Sequence, residues 1–392
     1  MEITALLKKD IQDFIDANLT VDIKKLALQK NPFPEVSYQA ILNQIVAKNK
    51  AKNKLPTWFS TKNIYYPSKI SIEQTSSEKT AEYKANTISG KILFDASGGF
   101  GVDDYYFAKN FDAVIHCELN TELSSIVTHN FKQLKTKNIT CVTGNSTDIL
   151  KKTTQPIDCI YIDPSRRNEK KGKVFMLADC EPNVPELLPF YFNYTNRLLI
   201  KTAPILDIKA ALLELQFVSK IHIVAVENEV KELLWYIEKN YTGNIKIITT
   251  NIEKNVTESC EFNLQSNDVA TFSKPLQYLY EPNVALLKSG KFNEISTLFK
   301  VHKLHQHSHL YTATNIVPFQ GRKFKINTNI LFTKESIKKY IVGQKMNVAT
   351  RNFPLKPEEL KKKYKITDGG TVFAFFTTNS TNEKIVLLCE KI

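Results

Sequence analysis

Three glycines and two acids between residues 94 and 118 are the residues best suited to bind a ligand. The run Phe94-Asp95-Ala96-Ser97-Gly98-Gly99-Phe100-Gly101 follows an apolar stretch, which predicts a strand that ends in a tight glycine turn. Glu118 ends the next apolar run, residues 113–117. A strand, a glycine turn and an acid about 20 residues later are how open α/β sheets hold a nucleoside ribose. We therefore expect a nucleoside cofactor here.

The order of the glycines bears on which nucleoside this is. Dinucleotide sites favour G-x-G-x-x-G, with pyrophosphate at the N-terminus of the following helix. Here the turn reads G-G-x-G and is followed by Asp103 and Asp104. Two carboxylates would repel pyrophosphate but suit a cationic sulfonium. The sequence therefore predicts S-adenosylmethionine, with a dinucleotide or a purely structural turn as the alternatives.

A second polar cluster ends the fourth predicted strand. Asp163 and Pro164 follow the apolar run 159–162, and Arg166 and Arg167 come next. Because ligands bind beyond the carboxyl ends of parallel strands, we expect Asp163, on a turn stiffened by Pro164, to face the glycine turn and orient an acceptor. The arginines could pair with phosphate. The alternative is a strand-ending turn with a solvated arginine pair.

Two other strand ends carry candidate residues. Asn145 follows the third strand and is placed to meet an adenine amino group, with Asp148 as the second choice. The alternative for this segment is a helix N-cap at Ser146 or Asp148. Lys201 ends the fifth strand and could reach a phosphate or the acceptor, or it could be a solvated lysine.

These residues must be positioned by an α/β sheet flanked by other modules. Residues 1–55 have helical periodicity, 55–90 form a connector, and Ser76 or Ser77 would cap a helix. From Gly90, short apolar runs alternate with helical patterns, which predicts parallel strands near the ranges 91–96, 113–118, 139–143, 157–162, 197–202 and 220–226. The run 233–237 follows so closely that it must be antiparallel. Five parallel strands and a closing hairpin predict a Rossmann-like methyltransferase sheet. A small α+β module follows.

Composition indicates which partners and which cellular compartment to expect for the protein. Its 392 residues carry 53 Lys and Arg against 40 Asp and Glu, a formal charge of +13, which favours a polyanionic partner unless the lysines only solvate the surface. No run of 18 apolar residues occurs and the N-terminus lacks a secretion signal pattern, so neither a membrane span nor export is expected. The six cysteines form no C-x-x-C pair, and the histidines at 302–309 match no zinc spacing. A cytoplasmic protein without a metal is predicted.

The two clusters together resemble class I S-adenosylmethionine-dependent methyltransferases over residues 86–245. The matching parts are the turn 95–101, Glu118 and the Asp163-Pro164 pair. The Asp-Pro pair resembles the D/N-P-P-aromatic motif of nucleic-acid N-methyltransferases, but Ser165 and Arg166 replace its second proline and its aromatic residue. It also resembles the D-P-x-R form of RNA uracil-C5 methyltransferases, whose catalytic cysteine is missing after residue 201.

Over nearly its whole length the chain resembles bacterial methyltransferase-like proteins with a C-terminal THUMP-like domain. The matching motifs are Tyr278–Asn283, Phe319–Arg322, Thr350–Leu355 and Asp368–Gly370. The resemblance implies four regions: helices and a connector (1–85), the methyltransferase domain (86–275), a ferredoxin-like segment (276–319) and a THUMP-like domain (320–392). THUMP modules of relatives bind RNA, commonly tRNA, so the resemblance implies an RNA partner.

The resulting hypothesis is a cytoplasmic RNA methyltransferase acting on tRNA or rRNA. The expected donor-binding residues are Asp95, Ser97, Gly98, Gly99, Gly101, Glu118, Asn145 and Asp148. Asp163 and Pro164 are the expected catalytic residues, and Arg166, Arg167 and Lys201 would contact the substrate. The alternatives are a donor-binding RNA-binding protein without turnover, a methyltransferase for a small molecule or protein, and an NAD-dependent enzyme. The oligomeric state is not predicted.

Overall fold

The chain divides into two compact units. A computed structural model describes residues 2–67, 69–166 and 176–392. The first unit comprises Met1–Ser219 and Leu233–Thr242, and the second comprises Lys220–Glu232 and Gly243–Ile392. Arg167 and the rest of the segment 167–175 lie outside the described residues.

The first unit begins with the predicted helices. They are α1 (Glu2–Leu6), α2 (Lys9–Ala17), α3 (Ile23–Leu26), α4 (Tyr38–Lys54), α5 (Pro56–Ser60), α6 (Lys69–Gln74) and α7 (Glu78–Ala85). Ile11, Ile15 and Ile41 pack together in a small core of their own because their helical spacing puts them on inward faces. Ser77 caps α7 by accepting a hydrogen bond from the Thr80 N–H at 3.2 Å, as predicted.

A sheet of nine strands follows and gives the chain its fold class. The strands are β1 (Gly90–Asp95), β2 (Phe111–Glu118), β3 (Ile139–Thr143), β4 (Cys159–Ile162), β7 (Arg197–Thr202), β8 (Val218–Val226), β9 (Glu229–Glu238), β10 (Lys246–Ile252) and β11 (Thr257–Asn263). Their order is β11-β10-β8-β9-β7-β4-β1-β2-β3. Strands β1, β2, β3, β4 and β7 run parallel, and β9 is antiparallel to β7. The predicted five parallel strands and closing hairpin are therefore confirmed.

Helices connect these parallel strands. They are α8 (Val102–Phe107), α9 (Thr121–Gln133), α10 (Ser146–Lys152), α11 (Val184–Tyr191) and α12 (Ile208–Glu214). All four residues of β4 are buried, which explains why its sequence is a continuous apolar run and not an alternating one. The carboxyl ends of β1, β2 and β4 thus meet at one edge of the sheet, where the predicted site residues lie.

A two-stranded hairpin was not predicted. Strand β5 (Ser165–Arg166) pairs antiparallel with β6 (Cys180–Glu181), and a short 3-10 helix spans Leu177–Asp179. Each strand has only two residues, so neither carries the hydrophobic period that identifies a strand in a sequence. The hairpin starts directly after Asp163 and Pro164.

The C-terminal part of the second unit contains a seven-stranded sheet. Its strands are β12 (Tyr278–Pro282), β13 (His302–Lys303), β14 (Tyr311–Ala313), β15 (Gly321–Leu331), β16 (Asn347–Thr350), β17 (Val372–Thr378) and β18 (Lys384–Lys391), in the order β13-β14-β12-β15-β18-β17-β16. Its helices are α13 (Val284–Ser289), α14 (Phe292–Phe299), α15 (Lys334–Tyr340) and α16 (Pro357–Tyr364). The predicted mixture of strands and helices is confirmed. Among the described residues, no helix is both long and apolar enough to cross a membrane.

Candidate functional site

The turn after β1 is shaped by glycine. Gly98 has φ +26° and Gly101, the N-cap of α8, has φ +74°. A Cβ atom on Gly98 would lie 2.7 Å from the carbonyl oxygen of Cys117 and 2.8 Å from the His116 ring. A side chain cannot be accommodated at that distance, so the turn can approach β2 this closely only with glycine at position 98.

Glu118, at the end of β2, contacts this turn directly. Its Oε2 atom accepts a hydrogen bond from the Gly99 N–H at 2.8 Å, and its Oε1 atom accepts one from the Asn120 N–H at 2.7 Å. The side chain is only half-buried. A carboxylate offers about four lone pairs, so two remain for the hydroxyls of a ribose. The structure therefore brings Glu118 and the glycine turn together, as the spacing in the sequence indicated.

Ser97 joins the glycine turn to the segment that carries Asp163. The Ser97 hydroxyl donates to Oδ1 of Asp95 at 2.8 Å and accepts a hydrogen bond from the Asp163 N–H at 2.8 Å. The Ser97 N–H also donates to Asp95 Oδ1 at 2.8 Å. The Asp95 side chain is buried, so its carboxylate is not exposed to solvent and instead supports the turn through these hydrogen bonds. Two loops that are 66 residues apart are thereby fixed to each other.

Asp163 lies at the carboxyl end of β4 and is ion-paired. Lys201 of β7 donates from its ammonium to Oδ2 of Asp163. The Asp163 side chain is 39% exposed, whereas the Lys201 side chain is 13% exposed. Pro164 is buried and Ser165 is exposed. Lys201 therefore holds the Asp163 carboxylate in place, and its contact with substrate stays a prediction.

A second lysine–aspartate pair lies at the start of α8. The Lys84 ammonium, which is fully buried, lies 3.2 Å from Oδ1 of Asp103, and the hydroxyls of Ser76 and Tyr161 donate to Oδ2 at 2.9 and 2.7 Å. Burial raises the pKa of Asp103, but the charges of Lys84 and Lys201 and the two hydroxyls together lower it below its ordinary value. Asp103 is therefore a buried, ionised carboxylate.

Three more titratable groups are buried behind the glycine turn. His116 Nδ1 lies 2.6 Å from Oδ2 of Asp104, and Asp104 also hydrogen-bonds Asp95. Burial, together with the charge of each neighbouring acid, raises the pKa of Asp95 and of Asp104, and burial lowers the pKa of His116. One carboxylate oxygen of each acid and one ring nitrogen of His116 lie within 4.8 Å of one another. Burial therefore favours the neutral form of each of these three groups.

These contacts correct one step of the sequence argument. Asp103 and Asp104 were expected to face a ligand at the start of α8 and to repel pyrophosphate. In the structure both carboxylates point inward, Asp103 to Lys84 and Asp104 to His116. The reason is that both side chains find partners in the core, which a helix-start position alone does not reveal.

The remaining predicted residues have varied surroundings. Asn145 is exposed and caps α10, because its Oδ1 atom accepts a hydrogen bond from the Thr147 N–H at 2.9 Å. Asp148 is exposed and lies 3.2 Å from the Lys151 ammonium. Arg166 belongs to β5, but its side chain is not among those described, and Arg167 lies outside the described residues.

Two features of the site were missed from the sequence. The β5–β6 hairpin brings Glu181 opposite Ser165, directly beyond the Asp163 turn. Lys84 was not recognised because it stands on a polar helix and looks like a solvated lysine, although it has no exposed surface. The sequence held one weak indication of such a lysine. Asp103 stands next to another acid at a helix start, and such an acid needs a compensating charge when it is buried.

Comparisons with known proteins agree with this architecture. Residues 278–319 match a family described as a ferredoxin-like domain, and residues 321–391 match one described as THUMP domain-like. A crystal structure of a proposed methyltransferase from Porphyromonas gingivalis W83 is 30% identical, covers 100% of this chain and 99% of its own, and superimposes with a TM-score of 0.89. No protein of curated function matches the sequence.

Other similarities cover less than half of this chain. An rRNA methylase from Streptococcus thermophilus is 17% identical over 41% of this chain and 94% of its own, with a TM-score of 0.30. TrmK of M. capricolum, solved with S-adenosyl-homocysteine, is 14% identical over 45% of this chain and 70% of its own, with a TM-score of 0.33.

The sheet order and the glycine turn define a class I methyltransferase-like fold. The full-length match and the two C-terminal domain matches go further. The chain belongs to the family of methyltransferase-like proteins that carry a ferredoxin-like and a THUMP-like domain at the C-terminal end.

Proposed function

We propose that the protein is an S-adenosylmethionine-dependent methyltransferase that acts on RNA. The observation that carries the proposal is the hydrogen bond from the Asp163 N–H to Ser97, which fixes an acceptor-side carboxylate beside the glycine turn. The relatives support it, since they include a proposed methyltransferase, an rRNA methylase and a THUMP-like module. The net charge of +13 favours a polyanionic substrate.

The residues of the turn fit the proposed cofactor. Gly98 and Gly101 let the turn pack directly against Cys117 and Phe131, where a Cβ atom would collide, and Gly99 has no neighbour nearer than 3.7 Å to such an atom. Glu118 would accept hydrogen bonds from the ribose hydroxyls, Asn145 and Asp148 would flank the adenine, and Asp95 would hold the turn in shape through Ser97. When bound, S-adenosylmethionine supplies an already activated methyl group, so the protein contributes mainly alignment and exclusion of water.

On the acceptor side, Asp163 has the central role. Its carboxylate would accept a hydrogen bond from the acceptor atom and hold it in line with the donor, while Lys201 and the buried Pro164 keep the carboxylate from rotating away. Arg166 and Arg167 come after Asp163, Pro164 and Ser165 in the sequence and would contact the phosphate backbone. A base within a duplex would first have to be extruded.

Donor binding and methyl transfer are tested separately. Calorimetry with S-adenosylhomocysteine should give a binding signal that Glu118→Gln weakens about 10- to 100-fold, the value of a hydrogen bond to a charged group. Cells lacking the gene should lose a modified nucleoside detectable by mass spectrometry. Asp163→Ala should fail to restore that nucleoside, whereas the control Asp112→Ala, at an exposed acid on β2, should restore it. No binding signal with the wild-type protein would overturn the proposal.

One observation favours a second function. The Asp163 carboxylate is already paired with Lys201, which fits a protein that binds donor and RNA without turnover. That function predicts normal S-adenosylhomocysteine and RNA binding and an unchanged set of modified nucleosides in cells lacking the gene. The six cysteines are free thiols, which suits the reducing cytoplasm in either case.

A further inference from the structure

Arginine is rare in this chain, and its positions are therefore informative. The sequence has five arginines among 53 basic residues. Two of the five, Arg322 and Arg351, lie in the second unit. A planar guanidinium donates in a fork that matches carboxylate and phosphate, which lysine cannot do. In a chain that otherwise uses lysine, arginine marks places where this geometry matters.

Both arginines of the second unit contact the same acid. Arg322 donates from Nε to Oε2 of Glu281 at 2.5 Å and pairs through Nη2 with the same oxygen. Arg351 pairs through Nη2 with Oε1 of Glu281. The Glu281 side chain is 3% exposed, whereas those of Arg322 and Arg351 are 39% and 37% exposed. Glu281 thus anchors two guanidinium groups that open to solvent.

The backbone around this triad is tightly constrained. Glu281 of β12 faces Arg322 of β15 in the antiparallel register. Gly321 has φ +136°, and a Cβ atom there would lie 2.2 Å from the Glu281 carbonyl oxygen, so only glycine fits. The guanidinium of Arg322 lies 5.6 Å from the centre of the Phe324 ring. The two cations are therefore held in place before any ligand arrives, which lowers the entropy lost on binding.

The charge of the triad is not balanced. Two guanidinium groups face one carboxylate, which leaves a net charge of +1. The charge of Arg351 also acts on His309. Burial, and after it the charges of Lys303, His307 and Arg351, lower the pKa of His309 to about 4. Arg351 uses Nη1 on the Thr350 carbonyl and Nη2 on Glu281, so its Nε–H is not used by these contacts, and neither is Nη1 of Arg322.

We propose that Arg322 and Arg351, fixed by Glu281, bind a phosphate group of the RNA backbone. The inference rests on the proposed RNA substrate and assigns it a contact in the C-terminal domains. The free edges of two guanidinium groups can donate to one phosphate together, which is the geometry that arginine favours. The competing explanation is that the triad only holds β12 and β15 together.

The test measures RNA binding by the full-length protein across a range of salt concentrations. The probe is unfractionated transfer RNA labelled with a fluorophore, followed by anisotropy between 50 and 200 mM salt. Arg322→Gln/Arg351→Gln should bind about 10-fold more weakly, and its log–log salt slope should fall by about 0.7 to 0.9, the loss of one phosphate contact. The control is Arg197→Lys in the first unit, where arginine donates to the carbonyls of Ser89 and Asp158. This control should bind like the wild type.

Two further variants keep the test decisive if the double variant unfolds. Arg351→Lys retains the charge and should still weaken binding about 3-fold, because the fork is lost. Arg322→Lys also retains the charge and should weaken binding in the same direction, because the fork of Arg322 is lost. A purely structural triad predicts lower melting temperatures with unchanged RNA affinity and salt slope in all folded variants, and that result would overturn the proposal.

Two measurements separate this inference from the proposed function. S-adenosylhomocysteine binding should be unchanged in every variant, so a protein that fails to bind this ligand can still show the predicted salt slopes. Polyglutamate serves as a competitor without phosphate. Equal competition by polyglutamate and RNA at matched charge would assign the triad to anions in general and refute the RNA assignment.

Discussion

Buried carboxylates in the two units are neutralised in opposite ways. Asp103 in the first unit is paired with the fully buried Lys84 and with two hydroxyls, so its compensation is sealed inside the protein. Glu281 in the second unit is also largely buried, 3% exposed against 11% for Asp103, but its cations, Arg322 and Arg351, are more than a third exposed. A sealed network can only position its neighbours. An open one can also exchange contacts with a ligand.

The same distinction extends to the acids behind the glycine turn. Asp95 and Asp104 have His116 beside them and not a lysine or arginine, and their pKa values are raised because burial disfavours the charged form. Burial therefore favours protonation of these two acids, whereas Lys84 compensates the charge of Asp103 and the two arginines compensate that of Glu281. The first unit thus uses internal compensation twice, which fits its proposed role as a rigid cofactor-binding scaffold.

The largest effect is expected where the sealed pair is broken. Lys84→Met leaves the Asp103 carboxylate buried with only neutral hydrogen-bond donors, and removal of one partner of a buried ion pair costs about 3–5 kcal/mol. The free energy of unfolding from denaturant titration measures this. The matched control is Lys151→Met, whose partner Asp148 is 63% exposed, and it should change stability by less than about 1 kcal/mol. Equal losses in both variants would show that burial of the pair is not the cause.

A somewhat smaller effect is expected for Gly98→Ala. The added methyl group would press on the His116 ring and the Cys117 carbonyl in a positive-φ conformation, which costs about 3 kcal/mol from crowding and backbone strain together. Gly290→Ala in the second unit has φ +70° but no atom within 4 Å, so only the strain of about 1 kcal/mol remains. Thermal unfolding of both variants checks the difference. A larger loss for Gly290→Ala would contradict the crowding at the turn.

Breaking the open cluster should cost less than breaking the sealed pair. Arg351→Met leaves Glu281 with Arg322 and removes one charged hydrogen bond, worth about 2 kcal/mol. Denaturant unfolding, analysed for the transition that reports the second unit, measures it. If Arg351→Met destabilised the protein more than Lys84→Met, the contrast between sealed and open compensation would be wrong.

The effect of pH is the smallest when it is counted per pH unit. Since the pKa of Asp104 is raised in the folded state, the folded protein retains a proton that the unfolded chain releases above about pH 4. Stability therefore falls as pH rises from about 4 to the raised pKa of Asp104 in the folded state, by about 1.4 kcal/mol per pH unit for one proton, and this group adds no slope above that pKa. Asp104→Asn should remove this part of the slope, and the difference between its pH–stability curve and that of the wild type reports it. Asp112→Asn, at an exposed acid, should follow the wild type.

The sequence predicted the elements better than their partners. The five parallel strands were found because each is a buried apolar run, and Glu118 was matched to the glycine turn because their separation is fixed by one strand–helix–strand unit. The inward direction of Asp104, the pairing of Lys84 with Asp103 and the β5–β6 hairpin were not found. Each of these features depends on a contact between residues that are far apart in the sequence, and the local periodicity of the sequence does not predict such contacts.

The hydroxyl of Ser97 has a consequence for how such an enzyme could diversify. One oxygen atom ties the proposed donor-binding turn to the proposed acceptor loop, through Asp95 on one side and the Asp163 N–H on the other. A change that reshapes either loop therefore disturbs the other, and specificity for a new acceptor cannot be acquired independently of affinity for the donor. New substrate specificity would then arise through changes in parts of the protein outside that link, such as the hairpin beyond Asp163 and the C-terminal domains.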